Sequence, residues 1–159
     1  METGIRYLDG NRLSRATRAG AQWLIRQQNV LNDINVFPVP DGDTGTNMAF
    51  TMRSIFERMD GLRNRSVGEV CSHIADAALM GARGNSGAIL AQFFQGLAEQ
   101  LKHHRSISTE TFAQAVQTAT DWPCIPAAVP MPPKNVATSS SPNLEAGRSA
   151  TFRSIISIE

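Results

Sequence analysis

The sequence predicts an all-α domain of about five helices. Three observations lead to this prediction. Apolar residues recur at steps of three and four along most of the chain, which is the spacing of a helix with one buried face. Cap and stop residues bound each of these segments. A single run resembles a strand, Ile155 to Ile158, and it is too short and too isolated to build a sheet.

Composition narrows the function classes. A chain of 159 residues fits one domain with a sizeable core, and its net charge of +1 implies no general attraction to nucleic acid or to an anionic membrane. Cys71 and Cys124 lack the spacing of a metal site, so we expect reduced thiols. No apolar run reaches the roughly 18 residues of a membrane span, and no signal-peptide layout opens the chain. We therefore expect a cytoplasmic protein with no membrane span.

The first predicted helix follows a turn and cap at Leu8 to Asn11 and ends at Asn32 and Asp33. Arginines lie mostly on the side that the apolar residues leave free, and we interpret them as a solvated face. The residues predicted to face inward are Leu13, Ala16, Gly20, Trp23, Leu24, Gln27 and Leu31, and the arginines are Arg12, Arg15, Arg18 and Arg26.

The second helix is introduced by a stiff, extended segment, because Pro38 and Pro40 remove two backbone donors and restrict the residues before them. We expect this helix to begin near Thr46 and to run to about Met59, closing at Asp60-Gly61.

Three further helices follow. Ser66 to Glu69 fits a capping box for the third, which stops at Gly81, and Ser108 caps the fifth. Between them, the glycine-rich turn Gly81 to Gly87 opens a strongly amphipathic fourth helix. The residues expected inside are Val70, Cys71, Ile74, Ala77 and Ala78 in the third helix, Ile89, Leu90, Phe93, Phe94, Leu97 and Leu101 in the fourth, and Phe112, Ala115, Val116 and Ala119 in the fifth.

The composition changes at Pro123. Six of the eight prolines lie from Pro123 to Pro142, and this stretch also contains a serine run and shows no sustained helical period. We expect a helical domain over residues 1–122 and a disordered or loosely attached tail over residues 123–159.

The candidate chemistry lies in the acidic turn between the first two helices. A turn can aim the carboxylates of Asp41 and Asp43 at one point, where they repel each other unless a cation lies between them. Mg²⁺ takes oxygen ligands of this kind and completes its shell with water and phosphate oxygens. Asn35, or Asp33, could add a third oxygen.

Two helix N-termini near the proposed metal would favour the binding of phosphate beside it. Gly42 and Gly45 allow close backbone approach, and Thr46 and Asn47 stand where free helix amides favour anions. The turn at Gly84 to Gly87, with Ser86 and Arg83, offers a second site of the same kind. Each turn taken alone also has an ordinary structural explanation, since Asp-Gly is a common turn dipeptide and Gly-Asn-Ser-Gly an ordinary helix connector.

Three other motif interpretations fit less well. A haloacid-dehalogenase motif must follow a buried parallel strand, whose ladder Pro38 and Pro40 forbid. A calcium loop would need Gly and Glu at the positions that Thr46 and Met52 occupy. A Walker phosphate loop needs a Gly-Lys-Ser/Thr ending, which the sequence lacks.

The two segments Asn35 to Met48 and Gly81 to Gly87 closely resemble the nucleotide-binding (DhaL-like) domain of dihydroxyacetone kinases, in the branch found at the N-terminus of bacterial fatty acid kinases. The resemblance covers roughly residues 5–122. It implies an antiparallel, up-and-down helical barrel of about eight helices, whose loops at one end hold ATP through Mg²⁺. By position, the implied metal ligands are Asp41, Asp43 and Asn35, and the implied nucleotide-binding residues are Thr44, Gly45, Thr46, Asn47, Gly84, Asn85 and Ser86.

The resemblance also implies the reaction and a partner. In the fatty acid branch, the phosphoryl group goes to a fatty acid carboxylate that a separate acyl-binding protein presents, and catalysis is mostly positioning and charge neutralisation. A dihydroxyacetone (glycerone) kinase subunit and a non-catalytic fragment are the alternatives, and the oligomeric state stays open, a homodimer included. Because the family continues with about three more helices where this chain turns to Pro and Ser, we expect a relative truncated or frame-shifted after about residue 122, with exposed apolar faces.

Overall fold

The structure, a computed structural model, describes residues 7–36 and 40–121. In this part of the chain it has six helices and one small antiparallel sheet of two strands, which confirms the predicted all-α class. The predicted tail 123–159 lies outside the described residues, as do residues 37–39 of the extended segment. In chain order the elements are β1 (Tyr7–Asp9), α1 (Gly10–Arg26), α2 (Gln28–Asp33), α3 (Thr44–Arg58), α4 (Val67–Gly81), α5 (Gly84–Leu101), β2 (Ser106–Ser108) and α6 (Thr109–Thr120).

Helix α3 lies at the centre of the packing. It contacts α1, α2, α4 and α5, while α6 packs against α5. Its inward residues include Ile55, which is completely buried, and Met52. The loop before α3 and the loop between α4 and α5 meet at the same end of the bundle, where Ser86 hydrogen-bonds to Thr44.

Helix α1 starts as predicted but faces a different way. The Asp9 side chain accepts a hydrogen bond from the amide of Arg12 at 2.8 Å, which is the expected N-cap. The inward face is wrong in part, because Ala21 is completely buried and Trp23 is 66% exposed. A small residue lets α1 approach its neighbours closely, which an indole at the same place would prevent. The structure divides the single predicted helix into α1 and α2, with a break at Gln27.

Arg18 corrects the interpretation of the arginines as a solvated face. Its guanidinium lies 4.9 Å from the centroid of the Phe56 ring and 2.9 Å from a carboxylate oxygen of Asp60. The side chain therefore ties α1 to the C-terminal end of α3. The long aliphatic stem of arginine allows it to cover apolar surface while its charge reaches a partner.

Helix α4 is the most deeply buried element, and its five predicted inward residues are at most 2% exposed. Burial raises the pKa of the Cys71 thiol to about 12. Only half of the predicted capping box forms, because Ser66 accepts from the amide of Glu69 at 3.4 Å while its own amide donates to Asn64 at 2.8 Å. The Glu69 carboxylate accepts from the Asn64 side chain instead.

Helix α5 and the strand pair complete the fold. Leu97 and Leu101 are buried as predicted, whereas Ile89 is 53% exposed. The pairing of β1 with β2, which sets Leu8 opposite Ile107, was not predicted. Ser108 caps α6 as expected, accepting from the amide of Thr111 at 3.2 Å.

Candidate functional site

The two glycine-containing turns meet at one end of the bundle. The hydroxyl of Ser86 donates to the carbonyl oxygen of Thr44 at 3.2 Å, across 42 residues of sequence. A Cβ on Gly84 would lie 2.3 Å from Nδ2 of Asn47, so that side chain would have to move if another residue stood at this position. The N-termini of α3 and α5 therefore lie side by side.

Positive φ angles shape both turns. Gly42 has φ +64° in the acidic turn, and Gly84 has φ +56° at the start of α5. Side chains with a Cβ rarely adopt this left-handed region. In α5, Gly87 brings the backbone near α3 as well, since a Cβ there would lie 2.7 Å from Oγ1 of Thr51.

Helix α2 holds the first turn of α3. Asn32 accepts from the amide of Thr46 at 3.0 Å and donates its own side-chain amide to the Thr46 hydroxyl at 3.0 Å. Gln28, one turn earlier, donates to the same hydroxyl at 3.2 Å. Gly45 permits this contact, because a Cβ there would lie 2.1 Å from the carbonyl oxygen of Gln28. The Thr46 side chain thus faces α2, and its predicted contact with a nucleotide stays a prediction.

Sequence reasoning missed Gln28 and Asn32 as parts of this site. Their spacing held a usable signal, because two side-chain amides four residues apart lie on one helix face. Thr51 was also missed. Its hydroxyl donates to the carbonyl oxygen of Asn47 at 3.1 Å, on the side of α3 that faces α5.

The acidic turn brings Asn35 to Asp41. The side-chain amide of Asn35 donates to Oδ1 of Asp41 at 2.8 Å, and the Asp41 side chain is otherwise exposed. Asp43 stands at the N-cap position of α3, where its carbonyl oxygen accepts from the amide of Asn47 at 2.9 Å. Its carboxylate forms no capping bond, so it is not committed to the helix that it precedes.

The donor set of this turn fits a hard divalent cation. Asp41, Asp43 and Asn35 offer carboxylate and amide oxygens, the ligands that Mg²⁺ accepts. Asn35 now presents its amide nitrogen to Asp41, and a half-turn about its Cβ–Cγ bond would present the oxygen to a metal instead. Among the described residues, no group of three or more His, Cys, Asp or Glu side chains could hold a metal ion. A cation here would therefore need amide, water or phosphate oxygens beside the two carboxylates.

The remaining predicted residues lie in the second turn. Asn85 is exposed, and Arg83 turns its guanidinium back to the carbonyl oxygen of Ala82 at 2.8 Å. No side chain caps the first turn of α5 in this part of the structure, where Arg83 holds the N-cap position. The partial positive charge of that helix end is available to an anion placed between the two turns.

Comparison with known proteins identifies the family. Residues 38–122 match the DAK2 domain, and this match contains both turns and the helices that carry them. Among the described residues, no helix is both long enough and apolar enough to cross a membrane.

Relatives that match about three quarters of the chain come from Bacillus and Staphylococcus species. The protein YloV of Bacillus subtilis is 42% identical over 117 residues, which are 74% of this chain and 21% of that protein. An uncharacterised protein of Staphylococcus saprophyticus is 39% identical over 114 residues, covering 72% of this chain and 21% of its own length. The chain thus spans about a fifth of the length of these relatives. It belongs to the DAK2 domain family of kinase-related, nucleotide-binding domains.

Proposed function

We propose that this chain is the ATP- and Mg²⁺-binding domain of a kinase that phosphorylates a fatty acid carboxylate presented by a separate acyl-binding protein. One observation carries the proposal: the Ser86–Thr44 hydrogen bond joins the second turn to the head of α3, next to the carboxylate pair. Membership of the DAK2 family supports the nucleotide. The acceptor follows from the resemblance of the acidic turn to the fatty acid branch.

In this proposal, residues of the first turn bind the metal, and residues at the heads of α3 and α5 bind phosphate. Asp41, Asp43 and Asn35 would hold Mg²⁺, which when bound neutralises the charge of the phosphate chain. The Asn47 side chain lies beside Gly84 at the start of α5. Together with the first-turn amides of α5, it would take phosphate oxygens. Phosphoryl transfer needs positioning and charge neutralisation more than a protein nucleophile, and the acceptor carboxylate itself attacks.

Calorimetric titration with ATP tests the site. The full chain should bind ATP in MgCl₂ and bind it at least about tenfold more weakly in EDTA, because the carboxylates repel phosphate without a metal. Asp41→Asn and Asp43→Asn should each remove the metal-dependent part. Glu57→Gln is the matched control, since it neutralises an exposed carboxylate at the far end of α3. Equal ATP affinity in MgCl₂ and in EDTA, or equal loss in all three variants, would refute the site.

The acceptor needs its own experiment. The full chain is incubated with Mg²⁺-ATP and either a fatty acid loaded on an acyl-binding protein or dihydroxyacetone, and ADP release is measured. Release with the loaded fatty acid supports the proposal, and release with dihydroxyacetone supports the alternative kinase. ATP binding without turnover on either acceptor would indicate a non-catalytic nucleotide-binding fragment.

A further inference from the structure

A basic groove lies at the end of the bundle opposite the candidate site. It has a volume of about 550 Å³ and lies between the segment before α4 and the segment after α5. Helix α4 spans 15 residues, with Gly81 near the acidic turn's end of the bundle and Val67 at the groove. At about 1.5 Å per residue, roughly 20 Å separate the two ends of that helix. The groove therefore cannot be part of the candidate nucleotide site.

Backbone contacts hold the two walls of the groove together. The amides of Val67 and Gly68 donate to the carbonyl oxygens of Arg105 and His104 at 3.1 and 2.9 Å. Gly68 makes this approach feasible, because a Cβ there would lie 2.4 Å from the carbonyl oxygen of Lys102. On the other side, the amide of Gly10 in α1 donates to the carbonyl oxygen of Arg65 at 3.0 Å. The groove is thus a fixed feature of the fold.

Positive charge dominates the lining. The lining contains four basic side chains and one carboxylate, that of Glu69, which accepts from the Asn64 side chain. The basic residues are Arg63, Arg65, Lys102 and Arg105. Lys102 pairs with Glu99. Among the described residues, the three arginines form no ion pair, although the net charge of the whole chain is only +1. Uncompensated arginines gathered in a concavity raise the local concentration of anions.

The lining also narrows the kind of anion. Within the described residues, no Phe, Tyr, Trp or aliphatic side chain lines the groove. Recognition of single-stranded nucleic acid relies on bases stacking on aromatic rings, and membrane association relies on apolar side chains that enter the lipid. The volume is that of a small-molecule site. The planar guanidinium group pairs with phosphate through two parallel hydrogen bonds.

We propose that this groove binds a compact polyanion carrying two or more phosphate groups, independently of the nucleotide site. Arg63 and Arg105 grip it from opposite walls, and Arg65 and Lys102 add charge beside them. Because the walls are already fixed by the Val67 and Gly68 hydrogen bonds, little ordering accompanies binding.

Calorimetric titration of the full chain with inorganic tripolyphosphate tests this site. EDTA is present throughout, so that the carboxylate pair holds no metal and the other end of the bundle does not contribute. The double variant Arg63→Gln/Arg105→Gln should weaken binding about tenfold or more, since each arginine supplies charge-assisted hydrogen bonds. The matched control Arg15→Gln/Arg26→Gln removes two exposed arginines of α1 and should change the affinity less than about twofold.

Further variants and probes decide between outcomes. Arg63→Lys/Arg105→Lys keeps the charge and loses the planar grip, so its affinity should fall between wild type and the glutamine pair. Thermal unfolding followed by circular dichroism verifies that every variant folds. Equal weakening in the two glutamine pairs would overturn the proposal, because it would indicate only net charge. Absence of tripolyphosphate binding would also overturn it, and so would binding to phosphatidylglycerol vesicles or single-stranded DNA in its place.

Discussion

At the scale of single residues, Gly45 and Gly20 both lie in helices, but the space around their Cβ positions differs. A Cβ on Gly45 would lie 2.1 Å from the Gln28 carbonyl oxygen, whereas nothing lies within 4 Å of a Cβ on Gly20 in α1. Gly45→Ala should therefore destabilise the fold by about 1–3 kcal/mol through overpacking. Gly20→Ala should stabilise it by about 0.5–1 kcal/mol, because alanine is the better helix former. Urea unfolding measures both changes, and a shift of the same sign in the two variants would contradict the packing described for α2 against α3.

Cys71 predicts how stability depends on alkaline pH. Burial raises the pKa of its thiol from the ordinary value of 9.0, which we take for the unfolded chain, to about 12 in the folded chain. Between these values the unfolded state has lost a proton that the folded state keeps, so the free energy of unfolding falls as pH rises. The slope from this group is about 1.4 kcal/mol per pH unit at most.

Comparison of variants isolates that slope. Cys71→Ala should reduce the fall in stability between about pH 9 and pH 12, whatever the cost of the substitution at neutral pH. Ile74→Val, which changes a buried residue of the same helix that has no titratable group, should leave the slope at its wild-type value. Urea unfolding across this pH range measures both, and parallel curves for wild type and Cys71→Ala would contradict the role of burial.

At the scale of elements, Arg18 links α1 to α3 through a ring contact and an ion pair. The Asp60 side chain is 72% exposed, so solvent screens the pair, whereas the guanidinium lies against the Phe56 ring. We expect Arg18→Ala to cost about 1 kcal/mol and Asp60→Asn less than about 0.5 kcal/mol. Urea unfolding of both variants and of the double variant gives the coupling. Equal costs for the two single variants would assign the link to the ion pair.

Local signals predicted the helix starts, because a cap acts within one turn. Asp9, Ser66 and Ser108 each accept from an amide of the helix that follows, as their side chains indicated. The strands β1 and β2 could not be predicted, since three residues are too few to show alternation. The predicted inward face of α1 was wrong in part because apolar residues occupy more than one face, and tertiary contacts with α3 select Ala21 over Trp23.

At the scale of the whole molecule, the burial of each helix predicts which helix unfolds locally most readily. Helix α4 has eight buried residues, and α2 has none. Hydrogen exchange measured by mass spectrometry should therefore find the slowest amides in α4 and the fastest helical amides in α2. If the proposed site is correct, Mg²⁺-ATP should slow exchange in α2 and the first turn of α3, while ATP in EDTA should not. Equal exchange in α2 and α4 would contradict this ranking.

The sequence pointed to individual residues of the candidate site, but it did not predict most of the contacts that bring them together. Asp41 and Gly84 stood out in the sequence, because acidic turns and glycine turns have local signatures. The hydrogen bond of Ser86 to Thr44 and the support from Asn32 depend on how helices pack, which residue spacing alone does not specify. The site residues that came from family resemblance remain predictions until the titrations are made.

The support of α3 by α2 has a practical use. Gln28 and Asn32 of the six-residue helix α2 hydrogen-bond to the Thr46 hydroxyl in the first turn of α3. A break at Gln27 separates α2 from α1. Val30 of that short helix is 53% exposed to solvent, away from these hydrogen bonds. If the proposed site is correct, a fluorescent dye attached through Val30→Cys in a Cys124→Ala background would convert occupancy of the neighbouring turns into an optical signal, without a change to any group that the ligand would touch.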